Sequence, residues 1–257
     1  MVCLTRWTNH IRACLVLLPV LLLSACAEVP TDPDERAEFL EVNDPLEPMN
    51  RQIFVGNQRV DRYVLKPVTS AYQQTMPQSG QLAVHNVVVN WKTPWVFSND
   101  VLQGQPALAT QSLVRFMFNS TIGLGGLFDV VDATGGPKAH EADFGQTLGV
   151  WGVGEGPFLM LPFFGPSNPR DAFGVGVEFF ADPTDLALSR IDHPVWSYYR
   201  VGTEVLDERA GLLSSLDDLE RNSLDYYATI RSVYRQHRAS LIQHRSALLT
   251  GAGPNKP

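Results

Sequence analysis

One punctuation mark occurs three times in this chain, as Asp44-Pro45-Leu46-Glu47, Asn168-Pro169-Arg170-Asp171 and Asp182-Pro183-Thr184-Asp185. In each, an Asx stands where a helix N-cap accepts backbone N–H bonds, and proline takes the first helical position, where its missing N–H costs nothing. An acid follows at the third position, beside the positive end of the helix. A chain punctuated in this way is predicted to be mainly α-helical.

The helical stretches distribute their side chains unusually. From Leu82 to Trp95, Val84, Val87, Val88, Trp91 and Trp95 fall on one stripe and Asn86, Asn90 and Thr93 on another, until Pro94 interrupts the pattern. From Ala107 to Asn119, Leu113, Val114, Phe116, Met117 and Phe118 cover a broad sector, leaving Gln111, Ser112, Arg115 and Asn119 a narrow one. Two readings fit: a globular helix with its apolar side in a core, or a helix with that side in lipid and its amides toward a wet interior. Between Thr121 and Ala181 the chain is rich in glycine and aromatic residues. There Gly149, Gly152, Gly154 and Gly156, ahead of Pro157, predict a flexible hairpin or loop. Apolar runs in this region are about ten residues or shorter, too short to cross a bilayer as a helix.

The N-terminus accounts for the three cysteines. Arg6 and Arg12 precede an apolar stretch from Ala13 to Leu23, which reads as a secretory signal peptide over residues 1–25. Leu23-Ser24-Ala25-Cys26 has the form of a bacterial lipobox, so cleavage is expected before Cys26, with a diacylglycerol on its thiol. Cys3 and Cys14 would leave with the leader. Ala27 in place of an aspartate favours the outer membrane over retention at the inner one. Acyl chains contribute about 0.8 kcal/mol per buried CH₂, and more than one holds a protein stably. Residues 27–43, with Pro30, Pro33 and several acids, read as a tether.

Charge excludes one class and isolates one helix. The formal net charge is −7, and without Arg6 and Arg12 it becomes −9, against the basic excess of a nucleic-acid binder. After Asp225 there is no acid at all, yet Arg231, Arg235, Arg238 and Arg245 line one helical face beside a stripe of Leu224, Tyr227, Ile230, Tyr234 and Leu241. Such an arginine stripe is either a solvated face or a surface for anionic headgroups or an acidic partner. Enzyme signatures are scarce: no G-x-S-x-G, P-loop or dinucleotide fingerprint occurs, and no catalytic residue or cofactor is assigned. His140, Glu141 and Asp143 on a loop beside Lys138 could touch a metal, but exposed loop residues are the plainer reading, and no metal site is assigned. A lipid hydrolase would need residues brought together from afar.

The ordered motifs carry a resemblance. Asp44-Pro45-Leu46-Glu47-Pro48-Met49-Asn50-Arg51 with Phe54 and Asn57, Leu102-Gln103-Gly104, Arg115-Phe116 with Asn119-Ser120 and Leu124-Gly125-Gly126-Leu127-Phe128-Asp129 come first. Phe144-Gly145-Gln146-Thr147-Leu148-Gly149, Gly156-Pro157-Phe158 through Leu161-Pro162 to Arg170-Asp171, and Asp225-Tyr226-Tyr227 with Arg231, Tyr234 and Arg238 follow. In this order, from about residue 44 to 240, they resemble the MlaA (VacJ) family of outer-membrane lipoproteins. The resemblance implies a ring of amphipathic helices lying in the membrane plane at residues 44–245, around a polar channel, with a short flexible tail at 246–257. It implies that phospholipids astray in the outer leaflet pass through to a periplasmic carrier of the MlaC type, and that trimeric porins are partners. On that reading Asn86, Asn90, Gln111, Arg115, Asn119 and Arg200 are channel or headgroup contacts, and Gly149, Gly152, Gly154 and Gly156 form a hinge near the channel. The alternative is a structural, porin-associated surface lipoprotein without transport.

Overall fold

Helices dominate the computed structural model, which describes residues 42–188 and 195–250 together with residue 32. In chain order they are α1 (Glu47–Val60), α2 (Lys66–Thr75), α3 (Gln78–Leu102), α4 (Pro106–Thr121), α5 (Val130–Ala133), α6 (Phe144–Val150), α7 (Pro169–Ala181), α8 (Pro183–Leu188), α9 (Val195–Asn222) and α10 (Tyr226–Thr250). One antiparallel hairpin, β1 (Leu159–Leu161) and β2 (Gly165–Ser167), sits between α6 and α7, with Met160 opposite Pro166. The signal peptide, Cys26 and most of the tether lie outside the described residues. Residues 42 and 43 already belong to the fold, since Asn43 O accepts the Phe158 N–H at 2.8 Å. At the other end α10 runs to Thr250, past the expected boundary at 245.

Two of the three Asx-Pro signals work as read. Asn168 Oδ1 accepts the Asp171 N–H at 2.8 Å at the start of α7, and Asp182 Oδ1 accepts the Thr184 N–H at 2.8 Å at the start of α8. Asp44 departs from the pattern, because its carboxylate is taken by Asn50 Nδ2 at 2.7 Å, Tyr227 Oη at 2.5 Å and Arg231 Nη1 at 2.8 Å. A stronger long-range network displaces the local cap. Pro94 does not end its helix either: α3 continues to Leu102 because it packs along its antiparallel neighbour α4. Between α1 and α2 the helix loosens into a π-turn over Asp61–Leu65, just before Pro67, whose ring has no N–H for the regular ladder.

The hairpin is clamped to α1 by two asparagines. Asn50 donates to Phe158 O at 3.1 Å and accepts from Met160 N at 2.9 Å, while Asn57 donates to Leu161 O and accepts from Phe163 N, both at 2.9 Å. Seven residues of helix rise about 10.5 Å, and three residues of strand about 10 Å, so the registers match. Beneath the clamp lies the main apolar cluster, Phe158, Met160 and Tyr227, with Ile53, Phe54 and Tyr234 against it. Elsewhere α6 and α7 cross at glycine: a Cβ on Gly174 would stand 2.5 Å from Gly145 N.

Burial is inverted across most of the molecule. Among the described residues, 22 polar or charged side chains are buried against 8 apolar ones, while 35 large apolar side chains are exposed, so core burial alone does not explain the sequence. On α4, Ser112, Arg115 and Asn119 are buried, whereas Leu113, Val114, Met117 and Phe118 are exposed. On α7, Arg170, Asp171 and Gly174 are buried, and Phe173, Val175, Phe179 and Phe180 are exposed. The reading of α4 as an ordinary helix with an apolar core face is thereby corrected.

The arginine stripe of α10 is likewise corrected: it is no solvated face. Arg231 pairs with Asp44 at 2.8 Å, Arg235 with Glu155 at 2.6 Å, Arg238 with Asp143 at 2.5 Å and Asp171 at 2.8 Å, and Arg245 with Asp100 at 2.6 Å. The acidic partner of the stripe is the chain itself, so α10 joins segments far apart in sequence.

Candidate functional site

The polar residues read as channel contacts go mostly into joints between helices. Asn90 Nδ2 donates to Ser120 Oγ at 3.0 Å and Asn86 Nδ2 to Leu127 O at 3.3 Å. The Arg115 guanidinium donates to the Asp129 carboxylate and to Pro137 O at 2.6 Å, and Asn119 Nδ2 donates to Asp129 Oδ1 at 3.0 Å. Together these bonds tie the connection between α4 and α6 onto α3 and α4. Gln111 is half-buried on α4. Arg200 is only 4% exposed and paired with Asp182 at 2.5 Å, Asp185 at 2.8 Å and Glu204 at 2.8 Å. It is neither a surface arginine nor an open headgroup contact in this conformation, because three carboxylates occupy its guanidinium.

The four glycines do not form one hairpin. Gly149 lies inside α6, where a Cβ would stand 2.6 Å from Ile242 Cδ1. Gly152, at φ +92°, ends that helix, with its N–H on Gly149 O and the Val153 N–H on Leu148 O. Gly154 is in open space and Gly156 sits beside Pro169. The segment is a helix end and loop, and strand pairing starts only at Leu159, where side chains able to pack replace glycine.

A cavity of ≈ 490 Å³ opens between α3, α4, the 139–143 segment, α7 and α9. Val88, Val89, Trp95 and Val96 give its wall an apolar patch; His85, Lys92, Ser112, Arg115, His140, Glu178, Asp207 and Glu208 supply polar groups. His85 and Asp207 also line an adjoining hollow of ≈ 590 Å³ bounded by α2 and the N-terminal part of α3. His85 Nδ1 and Asp207 Oδ2 are 2.9 Å apart, so their contact stands at the junction of the two spaces. Of the residues chosen from sequence as channel contacts, Arg115 lines the cavity. Lys92 was missed, although a lysine inside an otherwise uncharged stretch of α3 is a readable signal, as are Glu204, Asp207 and Glu208 at helical spacing on α9.

Charge on the wall is uneven. Burial, then Asp182 and Asp143, push the Glu178 carboxyl up to about 7. Burial opposes the charge on Lys92, but Glu208, Glu204 and Glu178 outweigh it and raise its pKa; Lys92 Nζ lies 2.5 Å from Glu208 Oε1. Burial also opposes ionisation of Asp100, yet His140, Arg245 and Ser112 hold its carboxyl below the usual range.

Ser112, His140 and Asp100 meet at this wall without forming a nucleophile relay. Ser112 Oγ donates to Asp100 Oδ2 at 2.7 Å, and His140 Nε2 stands 2.9 Å from the same oxygen and 3.4 Å from Ser112 Oγ. A relay needs one imidazole nitrogen for the hydroxyl and the other for the acid. Here one nitrogen faces both, and Arg245 holds the carboxylate from the far side. The 140–143 segment also diverges: Asp143 caps α6 and pairs with Arg238, while Glu141 lies 3.7 Å from His237.

Comparison with known proteins agrees with this architecture. Residues 42–241 match the model of the family described as MlaA lipoprotein. The intermembrane phospholipid transport system lipoprotein MlaA of Escherichia coli (strain K12) is 34% identical over 249 residues, 95% of this chain and 94% of that protein. An uncharacterized protein of Rickettsia bellii (strain RML369-C) is 35% identical over 209 residues, 79% of this chain and 78% of that protein. A solved structure reported under "Structural basis for maintenance of bacterial outer membrane lipid asymmetry" is 35% identical, covers 77% of this chain and 98% of its own, and superposes with a TM-score of 0.66. With a family model over most of its length and relatives of this similarity, the chain belongs to the MlaA lipoprotein family.

Proposed function

We propose that this protein is an outer-membrane lipoprotein that moves phospholipids. Its helices lie as a ring in the periplasmic leaflet, anchored through lipid on Cys26. Phospholipids mislocalised to the outer leaflet leave through the cavity bounded by α3, α4, α7 and α9, toward a soluble periplasmic carrier of the MlaC type. Trimeric porins hold the ring in place. The observation that carries the reading is the inverted burial: apolar side chains cover the outside, while ion pairs and amides fill the inside around a cavity. No helix among the described residues is long and apolar enough to cross a membrane, which suits helices lying flat with one apolar face in the acyl region. Moving a lipid along such a path breaks no covalent bond. The His85–Asp207 contact, shared by both hollows, is the constriction on the path.

Bridging that constriction tests the reading. His85→Cys/Asp207→Cys protein, joined by a short bifunctional methanethiosulfonate, is expected to leave outer-leaflet phospholipid as high as in a strain lacking the gene. Reductant should restore wild-type levels. Normal lipid asymmetry with the bridge in place would contradict the path and favour a structural porin-associated role.

A further inference from the structure

We infer that the charged pair facing the cavity, Lys92 on α3 and Glu208 on α9, is a headgroup subsite that favours a phosphate–ammonium zwitterion over an anionic phospholipid. This rests on the lipid-path reading and adds its chemical preference. The Lys92–Glu208 side chains are 34% and 62% exposed, so the pair is wetted and weakly held, and a ligand carrying both charges can replace it. A phosphodiester takes Lys92 and a primary ammonium takes Glu208, so two ion pairs form where one was broken.

The surrounding groups set the preference. Glu178 lines the same cavity close to Lys92, and its carboxylate makes no hydrogen bond or ion pair among the described residues. Asp207 is engaged by His85. The other cation on the wall near α4, Arg115, is held by Asp129 and Pro137 O. An anionic headgroup that takes Lys92 therefore leaves Glu208 and Glu178 facing it with no compensating cation. An ammonium on the ligand removes that repulsion, a discrimination by like charge rather than by shape.

The test is native mass spectrometry of the full lipoprotein in detergent, titrated with phosphatidylethanolamine or phosphatidylglycerol of matched acyl chains. Retention of phosphatidylethanolamine is expected to exceed that of phosphatidylglycerol by about fivefold, the scale of one partly screened charge contact. Glu178→Gln/Glu208→Gln should abolish the difference by raising phosphatidylglycerol retention, and Lys92→Gln should weaken both lipids, with cooperative thermal unfolding retained in each. Equal retention by the wild type, or a preference that survives Glu178→Gln/Glu208→Gln, overturns the subsite while leaving the path intact. Retention of neither lipid, together with normal asymmetry when His85 and Asp207 are bridged, overturns the path itself.

Discussion

Helices α4 and α10 spend their polar residues differently. On α10 the inward-facing polar groups are full charges, each arginine of the stripe meeting a carboxylate from a distant segment, and Tyr227 adds ring contacts to the apolar cluster. On α4 the buried groups are a short stripe tied to its neighbours, and the rest of the surface is apolar and exposed. An ordinary domain hides apolar surface to fold. Here paired charges fill the inside and apolar side chains stay exposed outside, where the proposed function gives them lipid as a second solvent.

That contrast breaks most sharply at Arg238. Arg238→Met leaves Asp143 and Asp171 without their shared partner, and removing one member of a buried pair costs about 3–5 kcal/mol. Chemical unfolding in detergent should show a loss of this size. On the outside, Phe179→Ser removes a side chain that is 77% exposed, so unfolding should change by less than about 0.5 kcal/mol. Its effect belongs to the membrane, where partition of the unlipidated protein into vesicles should weaken by about 2 kcal/mol, the transfer value of a phenyl group.

The smallest effect is expected at Glu178, where cavity and ion-pair network meet. Its folded pKa of about 7 stands above its ordinary value of 4.5, through burial and then Asp182 and Asp143, with Glu204 adding to the rise and Lys92 opposing it. The native state holds this proton more tightly than the unfolded chain. Stability from this group is therefore full below about pH 4.5 and falls as pH rises through 7. With water in the cavity screening the charge, Glu178→Gln should be more stable than wild type by about 1 kcal/mol at pH 8 and indistinguishable near pH 4. A difference independent of pH would refute the assignment.

What could be read from sequence follows from range. Helix starts at Asn168 and Asp182 are decided within three residues, and their caps form as read. Asp44 carries the same local signal, but its carboxylate is claimed by Tyr227 and Arg231, far along the chain, and no local pattern reports that. The stripe of α4 was visible in its periodicity, whereas the direction it faces depends on Asp129, which draws Arg115 and Asn119 inward. For the arginines of α10, spacing gave the face and only the fold supplied the acids opposite. Lys92 and Glu208 lie on different helices, so the pair exists only once α3 and α9 are side by side. The glycines marked a break in regular structure correctly; that Gly152 ends a helix while the strands wait until Leu159 required coordinates.

The central claim is that the apolar exterior lies in lipid, and tryptophan fluorescence tests it directly. Trp151 and Trp196 are 54% and 53% exposed, whereas Trp95 is 6% exposed. Single-tryptophan variants in bilayers of acyl-brominated phospholipid should show strong quenching at Trp151 and Trp196 and little at Trp95. Quenching of Trp151 and Trp196 by aqueous iodide, with none by brominated lipid, would contradict it.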